Sequence, residues 1–395
     1  MIYLAIDHRD PVSGRPMPNG IPLAQHHLIE RMDGHRLDYP RIYYYLQQCG
    51  IPQQIVKTAH APDGAWYPVV IGFFDLAIDY FSLISSAAYD RICRKQMLLV
   101  FTYHEGDNPY LIRRRLEEMC SQHGIDSSLV WLISGNSAAD QEPNCVYWPE
   151  TEFMYWRTVD KANGAQYHLR PRLRKYTGLC RIDKIWRKVF MSELWTNDFH
   201  KDGYFSYTQH LLGGEDNYLG CALSNDYLAS KQSQVDRFIA AGPFFADQLD
   251  ANAHNNYAVN MTDMYEDSYF NIVLETMIDV DDSGGVLFSE KTCKPIFNNQ
   301  FFVAVSSHNH MAHLRELGYQ SFGRVIDEHY DTIENNQERF ESALALTKNL
   351  CARPLSELHS LYQQLEPEIT HNHQVFVAGM GHRLQAVVDR INCKP

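Results

Sequence analysis

A serine, a glutamate and a lysine stand together at residues 289–291, where a predicted helix begins. Ser289 is suited to cap that helix, whose first backbone amides lack partners within the helix and carry partial positive charge. Lys291 adds a full positive charge beside these amides, although the helix dipole disfavours a cation in the first turn. Glu290 offers carboxylate oxygens that accept hydrogen bonds from ribose hydroxyls. The group predicts a site for phosphate or nucleotide; the alternative is a capped helix with a surface lysine.

A run of basic residues at 181–188 offers a second set of phosphate ligands. Arg181 follows a predicted strand, and Lys184, Arg187 and Lys188 begin the next predicted helix. Arg181 with one of the other three is able to clamp a monophosphate or diphosphate leaving group and neutralise its developing charge. A solvated basic helix face is the alternative interpretation.

The polar cluster at 104–108 follows a strongly apolar predicted strand. Ligands gather at the carboxyl ends of parallel strands, so a carboxylate here is suitably placed to act as a general base. We assign that role to Glu105, with His104 able to orient or replace it, and we place Glu150 and Glu152 next in line. The last two residues of the cluster are explained as well by capping of the following helix.

Several other chemical motifs are absent or ambiguous. The chain has no GxGxxG, GxxxxGK[ST] or GxSxG, which removes the usual marks of dinucleotide binding, P-loop phosphoryl transfer and α/β-hydrolase chemistry. The pair Asp281-Asp282 belongs to a glycine-rich turn and is a poor divalent-ion site. The histidines at 308, 310, 313, 371 and 373 have no carboxylates in register, so we expect structural or solvated histidines and assign no metal ligand.

Short apolar runs that alternate with amphipathic segments position these residues. The runs typical of buried strands are 68–74, 96–103, 128–134, 176–181, 204–207, 269–275 and 301–306. The segments typical of helices are 108–123, 184–194, 290–298, 311–317, 330–365 with a break near Pro354, and 375–391 after a break at 371–373. This alternation predicts an α/β protein with parallel sheets covered by helices, and the polar stretch at 160–175 predicts a boundary between two domains.

Composition limits the class of protein. The 395 residues include 35 Lys and Arg against 48 Asp and Glu, a formal charge of −13 that disfavours sequence-independent binding of nucleic acid. Nine scattered cysteines without a CxxC pair predict free thiols in a reducing compartment. We expect neither a signal peptide at the interrupted apolar N-terminus nor a membrane-spanning segment.

Three stretches resemble the glycosyltransferases of GT-B architecture, in particular a bacterial and phage group with a fucosyltransferase-like [ST]-E-K-[TL] signature. The donor-side stretch comprises YEDSYFNIVLET, LFSEKTCKPIFNNQFFVAVSS and HLRELGYQSF between residues 265 and 322. Upstream, YTGLCRIDKIWRKVFMSEL and DGYFSY are similar to the group's strand, basic turn and helix. HEGDNPYLIRRRLEE and VWLISGN resemble its acceptor-side half.

The resemblance implies two Rossmann-like α/β domains facing across a cleft, with an acceptor-side domain at 1–165 and a donor domain with closing C-terminal helices at 166–395. It implies that Glu290 contacts the donor ribose and that Lys291, Arg181 and Lys188 contact phosphate. Our full assignment is therefore catalytic roles for Glu105, His104 and Arg181. Donor-binding roles fall to Glu275, Ser289, Glu290, Lys291, Thr292 and Lys188.

We therefore expect a metal-independent glycosyltransferase that moves a sugar from a nucleotide-sugar substrate to a saccharide or lipid-linked glycan acceptor, as in polysaccharide biosynthesis, and that needs no cofactor. Ser306-Ser307 stands where the group has a glycine-rich turn, and transferases that use CMP-Kdo or CMP-sialic acid carry a serine-rich turn there, so a CMP-sugar donor is an alternative. A non-catalytic nucleotide-sugar-binding protein on the same fold is another. The expected location is the cytoplasm, with peripheral attachment to the inner membrane as a variant.

Overall fold

The computed structural model describes residues 1–7, 41–71, 79–82, 84–103, 108–159, 164–180, 184–207, 223–246, 261–278 and 285–393. The chain divides into two compact units, the first formed by residues 1–150 and 380–395 and the second by residues 151–379. Each unit has its own parallel sheet and its own helices, which confirms the predicted α/β class.

The described strands are short, and all ten pair in parallel. They are β1 (Ile2–Ile6), β2 (Gln53–Lys57), β3 (Ala65–Ile71), β4 (Met97–Tyr103), β5 (Val130–Ser134), β6 (Cys145–Tyr147), β7 (Arg174–Cys180), β8 (Tyr204–Tyr207), β9 (Ser268–Leu274) and β10 (Phe301–Val305). The described α-helices are α1 (Arg41–Gln48), α2 (Ser86–Cys93), α3 (Pro109–His123), α4 (Glu150–Thr158), α5 (Ile185–Thr196), α6 (Asn225–Ala241), α7 (Thr262–Glu266), α8 (Glu290–Phe297), α9 (His310–Glu316), α10 (Asn336–Ala352), α11 (Leu355–Gln364), α12 (Glu366–Ala378) and α13 (Gly381–Asn392).

The sheet of the first unit has the strand order β2-β1-β3-β4-β5-β6. Its central strands are almost continuously buried, as the apolar runs predicted. Three of its strands, β1, β2 and β6, were not among the predicted elements. β2 is polar and only half-buried, with the sequence QQIVK, and therefore lacks the apolar run on which the prediction depended.

The sheet of the second unit has the order β10-β9-β7-β8. All seven residues of β9 and all five of β10 are buried. One apolar core joins this sheet to the helices of the unit, with Phe190, Phe270, Phe297 and Phe340 among its members. The predicted strand and helix positions from 176 to 317 agree with this unit to within about two residues, the usual uncertainty of an element boundary.

The division between the units differs from the expected boundary at 165/166. The first unit ends at Glu150, and the last sixteen residues of the chain return to it. Helix α13 is held there by a hydrogen bond from the Trp66 indole to the Asn392 side chain (3.2 Å) and by an ion pair between Arg390 and Asp140. The helical pattern at 381–392 indicates an amphipathic helix but does not indicate which sheet the helix packs against. The sequence therefore did not reveal that α13 belongs to the first unit.

The C-terminal helices also correct one predicted break. No interruption occurs at 371–373, because α12 continues through His371 and His373 to Ala378. The chain turns instead at Gly379, whose φ of +87° is a conformation that favours glycine. The strand predicted at 68–74 begins three residues earlier, at Ala65, and the segment 72–78 lies outside the described residues.

No helix in the described ranges is long and apolar enough to cross a membrane. The eight cysteines in those ranges are free thiols, and Cys221 lies outside them.

A buried arginine holds the amino end of the second sheet. The Arg172 guanidinium donates to the backbone oxygens of Tyr265 and Ser268 and to the hydroxyl of Tyr362, and its carbon lies 4.2 Å from the centroid of the Tyr362 ring. Burial lowers the pKa of Arg172, since the charged form loses hydration. Hydrogen bonds to carbonyl oxygens replace that hydration and connect the segment before β7, the start of β9 and helix α11.

We expect Arg172→Leu to lower the free energy of unfolding of the second unit by about 3 kcal/mol, because the carbonyl and hydroxyl groups that the guanidinium contacts lose a charged donor. Arg174→Leu is the matched control: Arg174 is exposed, so its replacement is expected to change stability by less than about 1 kcal/mol. Urea unfolding followed by circular dichroism measures both. Equal stability of the two variants would contradict the role of Arg172.

Candidate functional site

The candidate site lies at the carboxyl edge of the second sheet. From β7 the chain passes to β8 on one side, whereas β9 and then β10 lie on the other side. The topological switch point is therefore between β7 and β9, and open α/β sheets bind ligands just beyond the carboxyl ends of such strands. Glu275 and Thr276 follow β9 directly, and Lys184 stands between β7 and α5.

Glu275 organises this edge. Its side chain is completely buried and accepts hydrogen bonds from the backbone amides of Thr276 (3.0 Å) and Ser289 (3.2 Å) and from the hydroxyl of Thr292 (2.5 Å). The Arg187 guanidinium donates to the Glu275 backbone oxygen. These contacts fix the first turn of α8 against the end of β9, because one carboxylate binds atoms from both elements.

The first turn of α8 has the residues that the sequence predicted. The Ser289 side chain accepts from the Lys291 amide (3.2 Å), which confirms the predicted cap. The Lys291 ammonium lies 3.1 Å from a Glu290 carboxylate oxygen, 3.3 Å from the Thr276 hydroxyl and 3.4 Å from the Ser289 hydroxyl. Lys291 is therefore folded over the helix N-terminus with its side chain 23% exposed, which contradicts the alternative of a solvated surface lysine.

The electrostatics of Glu290 keep its carboxylate charged. Burial acts to raise the pKa of Glu290, but the positive charges of Lys291 and Lys294 outweigh burial, and the pKa is lowered. A charged carboxylate is an acceptor for hydroxyl donors, as the assignment of a ribose contact requires.

The basic segment contributes a residue that the assignment did not name. The Lys184 ammonium donates to the Thr276 backbone oxygen, so Lys184 and Lys291 both reach Thr276, one at the carbonyl and one at the hydroxyl. Lys188, the assigned residue, is half-buried one turn further along α5, and its backbone amide bonds to the Lys184 oxygen (3.0 Å). Lys184, the lysine nearer the strand end, therefore contacts the site at Thr276, and the assignment of Lys188 stays a prediction.

His310 is a second residue at this edge that the assignment did not include. The spacing of the histidines at 308, 310 and 313 was considered only for metal binding. Its Nε2 lies 3.1 Å from the Thr292 hydroxyl, which donates its single proton to Glu275. Nε2 must therefore be the protonated nitrogen, and Nδ1 has no hydrogen-bond partner in the described part of the chain. The ring is fully buried, and burial lowers the pKa of His310.

The N-terminus of the neighbouring helix α9 is already bound by a carboxylate of the chain. Asp331 is buried, and its carboxylate accepts from the backbone amides of Met311 (3.0 Å) and Ala312 (3.2 Å) at the start of α9. Because that carboxylate neutralises the start of α9, an anionic ligand at this edge is favoured at α8 instead.

The three residues assigned to catalysis, Glu105, His104 and Arg181, lie outside the described residues, as does the Asp281-Asp282 pair. Asn108 caps α3, accepting from the amides of Tyr110 (2.9 Å) and Leu111 (3.4 Å).

Glu150 and Glu152, the alternative bases, are buried at the start of α4 rather than exposed on a loop, and Glu152 accepts from the Tyr319 hydroxyl. Among the described residues no group of three or more His, Cys, Asp and Glu has the arrangement of a metal site. The two histidines of α12 donate to backbone oxygens, His371 to that of Gly318 (2.9 Å) and His373 to that of Phe297 (2.8 Å).

Comparisons with known proteins give weak similarities. No model of a protein family matches the chain, and no curated protein sequence matches it. Among solved structures, the chain is similar to an α,α-trehalose-phosphate synthase (UDP-forming) from Burkholderia vietnamiensis, with 13% identity, a TM-score of 0.30 and coverage of 92% of this chain and 73% of the other. It is also similar to an α,α-trehalose 6-phosphate synthase from Burkholderia multivorans, with 12% identity, a TM-score of 0.30 and coverage of 91% and 70%. At this level of similarity nothing further follows about the activity of the chain.

Proposed function

We propose that the chain is a glycosyltransferase that binds a nucleotide-sugar donor at the carboxyl edge of its second sheet and transfers the sugar to a saccharide acceptor. The observation that carries the proposal is the first turn of α8. There Lys291 and Glu290, a cation and a buried charged carboxylate, stand side by side at a helix N-terminus, over the switch point of a parallel sheet. A nucleotide sugar needs both contacts, one for phosphate and one for ribose.

The phosphates of the donor would lie against the α8 N-terminus. Lys291 supplies a full charge there, the helix supplies the partial positive charge of its N-terminus, and Lys184 supplies a second ammonium at Thr276. We keep the ribose-binding role for Glu290, because its carboxylate is held in the charged form. The carboxylate of Glu275 binds the Thr292 hydroxyl and the Ser289 amide, so we assign Glu275 and Thr292 to holding this turn in place within the donor site.

The chemistry of transfer requires stabilisation of the departing phosphate. When the bond between the anomeric carbon and the phosphate oxygen breaks, the oxygen keeps the electron pair, and negative charge grows on the leaving group. Fixed cations and amides at that place lower the barrier because they need no reorganisation. We propose that Lys291, Lys184 and the α8 amides meet this requirement without a divalent ion. We further propose a GT-B-like enzyme of the fucosyltransferase-like group, on the resemblance of residues 265–322.

We expect Lys291→Ala to weaken binding of UDP or GDP by about tenfold to a hundredfold, since a hydrogen bond to a charged group contributes about 1.5 to 3 kcal/mol. Lys201→Ala is the control, because Lys201 is an exposed lysine of the same unit that pairs with Asp198 and precedes β8, at the opposite end of the strands from the site. Isothermal titration calorimetry gives both affinities. Undiminished affinity in Lys291→Ala would remove the helix N-terminus from the nucleotide site.

Transfer by metal-independent chemistry has a separate test. We expect the rate of sugar transfer, or of donor hydrolysis in the absence of acceptor, to stay within about twofold when EDTA is added, because protein cations compensate the leaving group. Loss of the rate with EDTA and its recovery with Mn²⁺ would disprove metal independence. A protein that binds nucleotide sugars in the calorimeter but neither transfers nor hydrolyses them would instead be a binding protein.

We also expect replacements of His310 to differ in nucleotide affinity according to whether the new side chain donates a hydrogen bond. His310→Phe removes the donor to Thr292 and is expected to weaken nucleotide binding by about tenfold, whereas His310→Gln keeps an N–H donor and should retain most of the affinity. Burial lowers the pKa of His310, so above pH 6.5 the ring is neutral with its proton on Nε2, and the affinity of the unmodified chain should not vary between pH 6.5 and 8. Titrations of the three proteins at pH 7.5 measure the affinities, and equal affinities for all three would contradict the role of His310.

A further inference from the structure

The second unit has a groove of about 360 Å³ that is separate from the first turn of α8. The walls of the groove are the segment 325–330 and the helices α10 and α11, and no residue of the α8 turn lines it. A volume of this size lies at the lower end of the range found for small-molecule sites. The groove is therefore large enough for a small ligand other than the nucleotide.

The segment 325–330 runs from the amino edge of the second sheet to its carboxyl edge. Phe322 precedes the segment and packs against Phe302 near the start of β10, with 5.2 Å between the ring centroids. Asp331 follows the segment and accepts from the amides at the start of α9, which lies at the carboxyl edge. This wall of the groove thus has a defined direction.

Helix α10 forms the second wall and runs the opposite way. Near its start Arg339 donates to the Ser306 backbone oxygen, just after β10 (3.0 Å). Near its end the Cys351 backbone oxygen accepts from the Lys175 ammonium at the start of β7 (2.7 Å). Arg353, which follows α10 and lines the groove, therefore lies at the end of the groove that is nearer the amino edge.

The floor of the groove is apolar. Ile326, Leu350 and Leu361 are buried, and Val325 and Leu346 are half-buried beside them. A polar ligand would lose its hydration against these side chains without compensation, whereas an apolar group gains by leaving water. The floor therefore favours a ligand with an apolar body.

Arg353 supplies the positive charge of the groove. Its Nε and Nη2 atoms donate to the Asn349 side chain at 3.2 and 3.1 Å, and Arg353 has no carboxylate partner among the residues that the structure describes. Asn349 thus holds one edge of the guanidinium, while Nη1 and the second proton of Nη2 form the other edge. That edge has the two parallel N–H groups that bind a carboxylate in a bidentate manner.

The negative charge of the groove belongs to Asp327. This residue is exposed and accepts from the His329 amide (3.0 Å), so its carboxylate is hydrated and its charge is screened. Arg353 is half-buried and its charge is screened less. One carboxylate is therefore accepted at Arg353, while a second negative charge further along the groove is disfavoured by Asp327.

We propose that this groove binds a small amphipathic monocarboxylate, with the carboxylate on Arg353 and the apolar body along Leu346 and Leu361. Each part of the ligand has a counterpart in the groove: the fixed guanidinium edge for the carboxylate, and the apolar floor for the body. The site goes beyond the proposed transfer of sugar and does not depend on it, because it uses none of the residues assigned to the donor.

Ligand-observed NMR titration of the full chain at pH 7.5 tests the proposal, with octanoate and its neutral analogue octanamide as probes. We expect the unmodified chain to bind octanoate at least tenfold more tightly than octanamide, because only the carboxylate forms a charged pair with Arg353. Arg353→Gln is expected to lose this preference by binding octanoate at least tenfold more weakly and octanamide as before. Arg237→Gln is the matched control, since Arg237 is an exposed arginine of α6 that donates to the Ser233 backbone oxygen (3.3 Å).

A second variant tests the place of binding. Ala345 is exposed on α10 at the groove, so Ala345→Trp is expected to fill the groove and weaken the binding of both probes at least tenfold. Circular dichroism and the urea midpoint show whether each variant is folded, and Ala345→Trp decides alone if Arg353→Gln is not.

Three results would each overturn the proposal. They are equal affinity of the unmodified chain for the two probes or no binding of octanoate, equal octanoate affinity in Arg353→Gln and Arg237→Gln, and undiminished binding in Ala345→Trp. Loss of UDP binding in Lys291→Ala with unchanged octanoate binding would support both sites separately. A chain that binds octanoate but no nucleotide would keep the groove and contradict only the proposed function.

Discussion

The buried carboxylate of Glu275 is the interaction on which the second unit's functional edge depends. A charged group in the interior is stable only if its lost hydration is replaced, and here two backbone amides and one hydroxyl replace it. Those donors come from the end of β9 and from the first turn of α8, which lie fourteen residues apart in the sequence at Glu275 and Ser289. The helix N-terminus is thereby positioned by an electrostatic requirement inside the core.

This arrangement decides which helix N-terminus is open to an anion. α8 and α9 both begin near the carboxyl edge of the same sheet, and both carry the partial positive charge of their free amides. At α9 this partial positive charge is neutralised by the carboxylate of Asp331. At α8 the neutral Ser289 caps the helix and Lys291 adds further positive charge, while the negative charge of Glu275 is used in holding the turn. The start of α9 is thus bound by a carboxylate alone, whereas the start of α8 has the ammonium group of Lys291 beside the carboxylate of Glu290.

The sequence predicted the alternation of strands and helices and the local chemistry of α8, because both follow from neighbouring residues. Ser289, Glu290, Lys291 and Thr292 are consecutive, so their proximity needed no knowledge of the fold. The parts that were missed are those in which distant segments meet. His310 reaches Thr292 only because β10 lies beside β9, and Lys184 rather than Lys188 reaches Thr276 because of where β7 ends. The return of α13 to the first unit depends on tertiary packing in the same way.

The two sheets also show that one topological rule places carboxylates with different surroundings at corresponding positions. In each unit the strand order reverses beside a central strand, and in each a carboxylate follows a strand at the reversal: Asp7 after β1 and Glu275 after β9. Glu275 is fully buried and accepts two backbone amides and one hydroxyl, so it joins the end of a strand to the start of a helix. Asp7 is partly exposed and accepts the hydroxyls of Thr58, Tyr67 and Ser85, so it joins side chains of three elements. The same topological position therefore fixes backbone segments where the carboxylate is buried and side chains where it is partly exposed.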